Sequence, residues 1–107
     1  MSIVSVYATF ADEEEALRIA RTVVEEKLAA CVNVLGPCRS VYRWQGKMEE
    51  AQEVAALFKT RADRAEALID RIAALHSYDV PAALVWPVER ALGDYAAWVA
   101  AESAPGD

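Results

Sequence analysis

From Ser40 to Thr60 the chain carries the apolar, aromatic and β-branched positions of two long strands, joined by a tight turn at Gln45-Gly46. Before the turn Val41 and Arg43 alternate with Tyr42 and Trp44, a β-branched and aromatic weighting that suits a pleated surface. After it Lys47, Glu49, Ala51 and Glu53 fall on one face and Met48, Glu50 and Gln52 on the other, so both faces of this half are partly polar. From Val54 to Phe58 every residue is apolar, as in a strand central to a sheet and covered on both faces. One half of the hairpin therefore projects while the other sits in a core. A projecting ribbon leaves unpaired edges that invite association, so the pattern predicts an oligomer built through this hairpin.

The same reading places a first strand over Ile3–Phe10, with Val4, Val6, Ala8 and Phe10 on one face. Asp12 has the position of an N-cap, with Glu15 three residues on at capping-box spacing and Glu13 and Glu14 at the positive end of the helix dipole. Leu17, Ala20, Val24 and Leu28 recur at helical spacing, predicting a helix to about Ala30. Val32–Leu35 begins a second strand that Gly36-Pro37 interrupts, as a bulge on an edge strand would. A helix over Ala62–Leu75 turns Ala65, Leu68, Ile69, Ile72 and Leu75 inward. Ala83–Val88 is a fourth strand and Leu92–Ala101 a last short helix with Tyr95 and Trp98 to pack. The order β-α-β-β-α-β is that of a ferredoxin-like α+β sandwich, here with an extra C-terminal helix, both main helices lying on one face of an antiparallel sheet. One such domain spans residues 1–102, and the tail 103–107 is expected to fray.

The length of 107 residues admits one core and no second. A formal charge of −6 and a pI near 4.7 exclude nucleic acid and anionic membrane as expected partners, since both need a basic face. The N-terminus has no basic leader region and its apolar run is too short to cross a bilayer, which predicts a cytoplasmic protein. Cys31 and Cys38 are too few for a disulfide framework and are not at CxxC spacing; they are expected as buried or half-buried thiols.

Three segments give the chain a wider resemblance: KLAACVNV at Lys27 to Val34, SVYRWQGK at Ser40 to Lys47 running on to FKT at Phe58 to Thr60, and LHSYDVP at Leu75 to Pro81 followed by WPV at Trp86 to Val88. Together they resemble the CutA family, the divalent-cation-tolerance proteins. The resemblance implies a ferredoxin-like domain assembled as a tight homotrimer, in which hairpins of neighbouring subunits complete one another's sheets. It also implies architectural similarity to the PII signalling proteins, trimers that bind small molecules in clefts between subunits. What it implies for function is non-enzymatic: divalent-metal tolerance, with copper or another divalent cation as the bound species. The sequence departs from the family pattern where Ala8 and Ala82 stand in place of a Cys and a Glu, and in reading His76-Ser77-Tyr78-Asp79 at the loop.

His76 is the only histidine and the natural metal-ligand candidate; with Asp79 it offers a nitrogen and oxygen pair suited to Cu(II). The plainer reading of His76 is a helix-terminal histidine at the negative end of a dipole. Tyr42, Trp44, Tyr78 and Trp86 are candidates to line an inter-subunit cleft, against the alternative of packing at a trimer contact. Glu49, Glu50 and Glu53 read as a solvated or salt-bridged ribbon face. Ser77 beside His76 does not make a triad, there is no GxSxG elbow, and no P-loop or GxGxxG loop exists, so neither nucleophilic catalysis nor that kind of nucleotide binding is supported.

Overall fold

The computed structural model describes residues 2–106. Strand β1 (Ile3–Phe10) leads into helix α1 (Glu13–Glu25), then β2 (Cys31–Trp44) and β3 (Lys47–Arg61) form the long hairpin. A 3₁₀ turn over Ala62–Arg64 opens helix α2 (Ala65–Leu75), and β4 (Ala83–Pro87) and helix α3 (Gly93–Glu102) complete the fold. The sheet is antiparallel with strand order β2-β3-β1-β4, the split βαβ topology expected from the element order.

The apolar run at Val54–Phe58 lies where β3 is flanked by β1 and β2 together, with Val6 opposite Phe58 and Phe58 opposite Val32. Pairing with β1 stops at Phe10 opposite Val54, while β2 and β3 stay paired outward to Trp44 opposite Lys47. The ribbon accordingly projects, and the molecule measures 44 × 27 × 22 Å. Gln45 and Gly46 turn it with φ of 51° and 81°, both left-handed, as a two-residue hairpin turn of the right twist requires. The Gly36-Pro37 break is a register shift between Val34 and Gly36 on edge strand β2, the bulge the sequence predicts.

Both α1 and α2 cover the face carrying Val6, Ala8, Phe10, Ala56 and Phe58, packing Ile19, Val23, Leu68 and Ile72 onto it. Asp12 caps α1 by accepting from Glu15 N at 2.8 Å. The helix stops at Glu25, short of the expected Ala30, because Lys27 turns left-handed at φ 61°. Leu28 N then donates to Val23 O at 2.9 Å and Lys27 N to Val24 O at 3.0 Å, which is a Schellman closure. Leu28 still packs against the core from the loop, so the apolar spacing outlasts the helix. On the opposite face α3 covers one end of the sheet, with Val99 against Ile3 and Ala30.

The tail is not free from its first residue. Ser103 is buried; its Oγ donates to Val99 O at 2.6 Å and accepts from Arg61 N at 3.1 Å, and its carbonyl accepts from Arg64 Nε at 3.2 Å. Asp107 and Met1 lie outside the described residues.

Candidate functional site

The candidate site is assembled by the sheet face opposite α1 and α2, away from the end that α3 covers, and by the loop after α2. That loop starts at His76, whose extended backbone (φ −76°, ψ 149°) ends the helix. The His76 side chain is fully buried. Its Nε2–H donates to Thr9 O at 2.8 Å and its Nδ1 accepts from Tyr78 N at 3.1 Å, backbone partners whose fixed roles select this tautomer. The ring stacks on Phe10 at 4.9 Å and meets Tyr78 at 4.7 Å. Glu15 ties the same loop to α1: Oε2 accepts from Ser77 N at 2.8 Å and Oε1 from Ala11 N at 3.1 Å. Burial pushes the Glu15 carboxyl up, but the hydrogen bonds from Ser77 and Ala11, with His76 nearby, outweigh it and hold the group below its ordinary value.

Clamped this way, the chain passes from the helix layer around the end of β1 and delivers Tyr78 to the opposite face. There its hydroxyl donates to Glu53 Oε2 at 2.9 Å. Burial first, and then the Glu53 carboxylate, push the Tyr78 phenol up to about 12. Burial also raises Tyr7, with Cys38 and Glu53 adding to it. These residues wall a cleft of about 670 Å³. Strand β1 supplies Tyr7 and Thr9; β2 supplies Ser40, Tyr42, Arg43 and Trp44; β3 supplies Glu49 and Glu53; the loop supplies Tyr78, Asp79, Val80 and Ala82. Register explains the gathering, since Ser40, Tyr42 and Trp44 share a face with Glu49 and Glu53 across the β2–β3 pairing.

The structure thus brings together Tyr42, Trp44, Tyr78 and Asp79, and it separates His76 from them. The expected His76–Asp79 metal pair is corrected: both imidazole nitrogens are committed to the backbone and the ring has no exposure, which leaves no lone pair for a cation. Among the described residues no group of three or more His, Cys, Asp or Glu side chains could hold a metal ion. Of the two departures from the family pattern, Ala8 is sealed in the core while Ala82 lines the cleft. Trp86 stacks on Tyr7 at 4.8 Å behind the cleft rather than lining it. Both cysteines are free and half-buried as expected, Cys31 sitting 3.3 Å from the Tyr95 hydroxyl.

The acidic run divides. Glu50 is exposed and faces Arg39 at 3.6 Å, whereas Glu53 is only 8% exposed and belongs to the cleft wall, not to a solvated ribbon face. Sequence reasoning passed over Glu53, Tyr7 and Glu15 as site residues. The available signal was alternation, because Glu53 shares a face with Glu49 and lies just before the apolar run.

Fold and cleft define a small ferredoxin-like α+β protein with a projecting hairpin and a polar, aromatic-walled cavity at its root. Comparison narrows this. The chain belongs to the CutA1 divalent ion tolerance protein family, whose sequence model matches residues 4–102. It is 44% identical over 101 residues to the divalent-cation tolerance protein CutA of Pyrococcus horikoshii, covering 94% of this chain and 98% of that one. It is 40% identical over 98 residues to the human protein CutA, covering 92% of this chain and 55% of that one. Among solved structures, CutA from Xylella fastidiosa superposes with a TM-score of 0.92 at 40% identity, over 95% of this chain and 98% of that chain. The structure described as the periplasmic divalent cation tolerance protein CutA of Archaeoglobus fulgidus gives 0.91 at 39% identity, over 94% and 98%. No described helix is long and apolar enough to cross a membrane.

Proposed function

We propose that the chain acts in divalent-cation tolerance as a non-enzymatic homotrimer, and that the cleft at the root of the hairpin takes a small-molecule ligand where neighbouring subunits meet. The observation that carries this reading is the cleft itself. Its outer wall is the projecting ribbon, where Tyr42 and Trp44 remain 40% and 44% exposed on the cleft side. A neighbouring copy covering that ribbon would bury these side chains and close the cleft at once. A non-enzymatic role fits the committed nitrogens of His76, since a general base needs a free lone pair within reach of substrate. Two unpaired thiols suit a reducing compartment, in keeping with a cytoplasmic location.

The test is sedimentation of the wild-type protein beside a ligand screen run with chelator present. A trimer whose tryptophan fluorescence responds saturably to a small molecule supports the reading; a monomer, or a trimer that responds only when chelator is absent, overturns it. A second reading has one observation of its own: Asp79, Glu49 and Glu53 line the same cleft and could share a copper or other divalent cation with a neighbouring subunit. Saturable Cu(II) binding that Asp79→Asn abolishes would favour this reading. Binding unchanged by that substitution would remove Asp79 as a ligand.

A further inference from the structure

We propose that the ligand of this cleft is an organic ammonium ion, with its positive head held by the free oxygen of Glu53 and its apolar body among the aromatic side chains. The inference rests on the cleft reading above and narrows it to one chemical class. Its starting point is an imbalance at Glu53. The residue is more than nine-tenths buried and lines the cleft, and its Oε2 accepts from the Tyr78 hydroxyl. No hydrogen bond or ion pair within the described residues reaches Oε1, and unlike Ser5 Oγ it is not sealed from solvent. The Tyr78 phenol gives this carboxylate one bond, and its other oxygen, still reachable from outside, is open to a cationic partner.

The surroundings say which cation. Glu49, Glu53 and Asp79 line the cleft against one guanidinium, Arg43, so its potential is negative. Burial is the first cause of the raised Tyr7 and Tyr78 phenols, and Glu53 adds to both. A bare divalent ion needs several oxygens converging within about 2.5 Å of one point, and the described residues contain no such group. A diffuse ammonium charge is instead stabilised by aromatic rings within about 6 Å together with a single carboxylate. Tyr78, bonded to Glu53, and Tyr7, close enough to feel its charge, supply the rings, and a volume near 670 Å³ admits a molecule of drug size.

Three probes of one shape separate the possibilities: choline, its neutral isostere 3,3-dimethylbutan-1-ol, and the anion 3,3-dimethylbutyrate, each titrated into the intact assembly with chelator present. Choline is expected to bind saturably, about tenfold or more tighter than the neutral isostere, and to weaken by a similar factor in Glu53→Gln. In the labelled wild-type protein the Tyr7 ring and Tyr78 amide signals should move with choline, a readout that does not depend on the variant folding. Equal binding of choline and the neutral isostere, or binding of the anion alone, overturns the ammonium assignment while leaving a ligand cleft. Failure of all three probes and of a broad screen removes the cleft reading as well. Glu53→Gln that loosens the ligand-free assembly would show that a neighbouring subunit's cation occupies Oε1, which also overturns the inference.

Discussion

At the scale of single residues, His76 behaves as a structural strut. Its ring joins a stack on Phe10 to two backbone hydrogen bonds, so it positions Tyr78 without touching the cleft contents. His76→Phe would keep the stack and strand the Thr9 carbonyl and the Tyr78 amide. A loss of about 2–4 kcal/mol is expected, measured by chemical denaturation at fixed protein concentration, and no change would contradict the strut role. Glu15 carries a pH signature. Its folded carboxyl titrates below the ordinary 4.5, so the stabilisation is complete above that value and disappears as the pH falls through the lower folded one. The stability gap between wild type and Glu15→Gln should therefore be flat from neutrality to about pH 5 and close only below it. A gap that widened on acidification would mean that the Ser77 and Ala11 hydrogen bonds do not favour the charged form.

At the scale of elements, two helix ends make opposite predictions. Asp12→Ala removes the α1 cap and should cost about 1 kcal/mol in denaturant midpoint analysis. Lys27→Gly should do the reverse, stabilising by about 0.5–1 kcal/mol, because Lys27 occupies at φ 61° the Schellman position that glycine adopts without strain. These ends also show what the sequence could tell. Asp12 and Glu15 form a local signal three residues apart, and the structure realises it. Lys27 hides its turn, since nothing in its side chain announces a left-handed backbone and Leu28 continues the apolar spacing past the helix end. The strands, the turn at Gln45-Gly46 and the bulge near Gly36-Pro37 were legible because alternation and turn residues act over a few positions. The site was legible only in part. Tyr42 and Trp44 announce themselves as aromatic residues on a ribbon, but the inward turn of Glu53 and the committed nitrogens of His76 depend on partners far off in sequence, Tyr78 and Thr9.

At the scale of the whole molecule, the exposed ribbon fixes what assembly must do. Trp44→Ala removes a large ring from the outer wall and should shift the proposed trimer towards smaller species at low micromolar concentration; an unchanged sedimentation profile would exclude Trp44 from the contact. The cleft should suffer in parallel, since the same side chain lines it. Binding and assembly would then be weakened by one substitution, and Glu53→Gln, on the inner wall, is the variant that separates them.

The hairpin has a further consequence, for how such a chain can change in length. Outward of the Phe10–Val54 pair, β3 is paired only with β2, and the ribbon keeps Tyr42, Trp44, Glu49 and Glu53 on one side solely by counting residues from the core. Deleting one residue from each strand would leave the pairing intact yet move the tip residues to the opposite face. Viable insertions and deletions in this arm should therefore come as two residues per strand, so that the ribbon serves as a ruler whose smallest readable step is two.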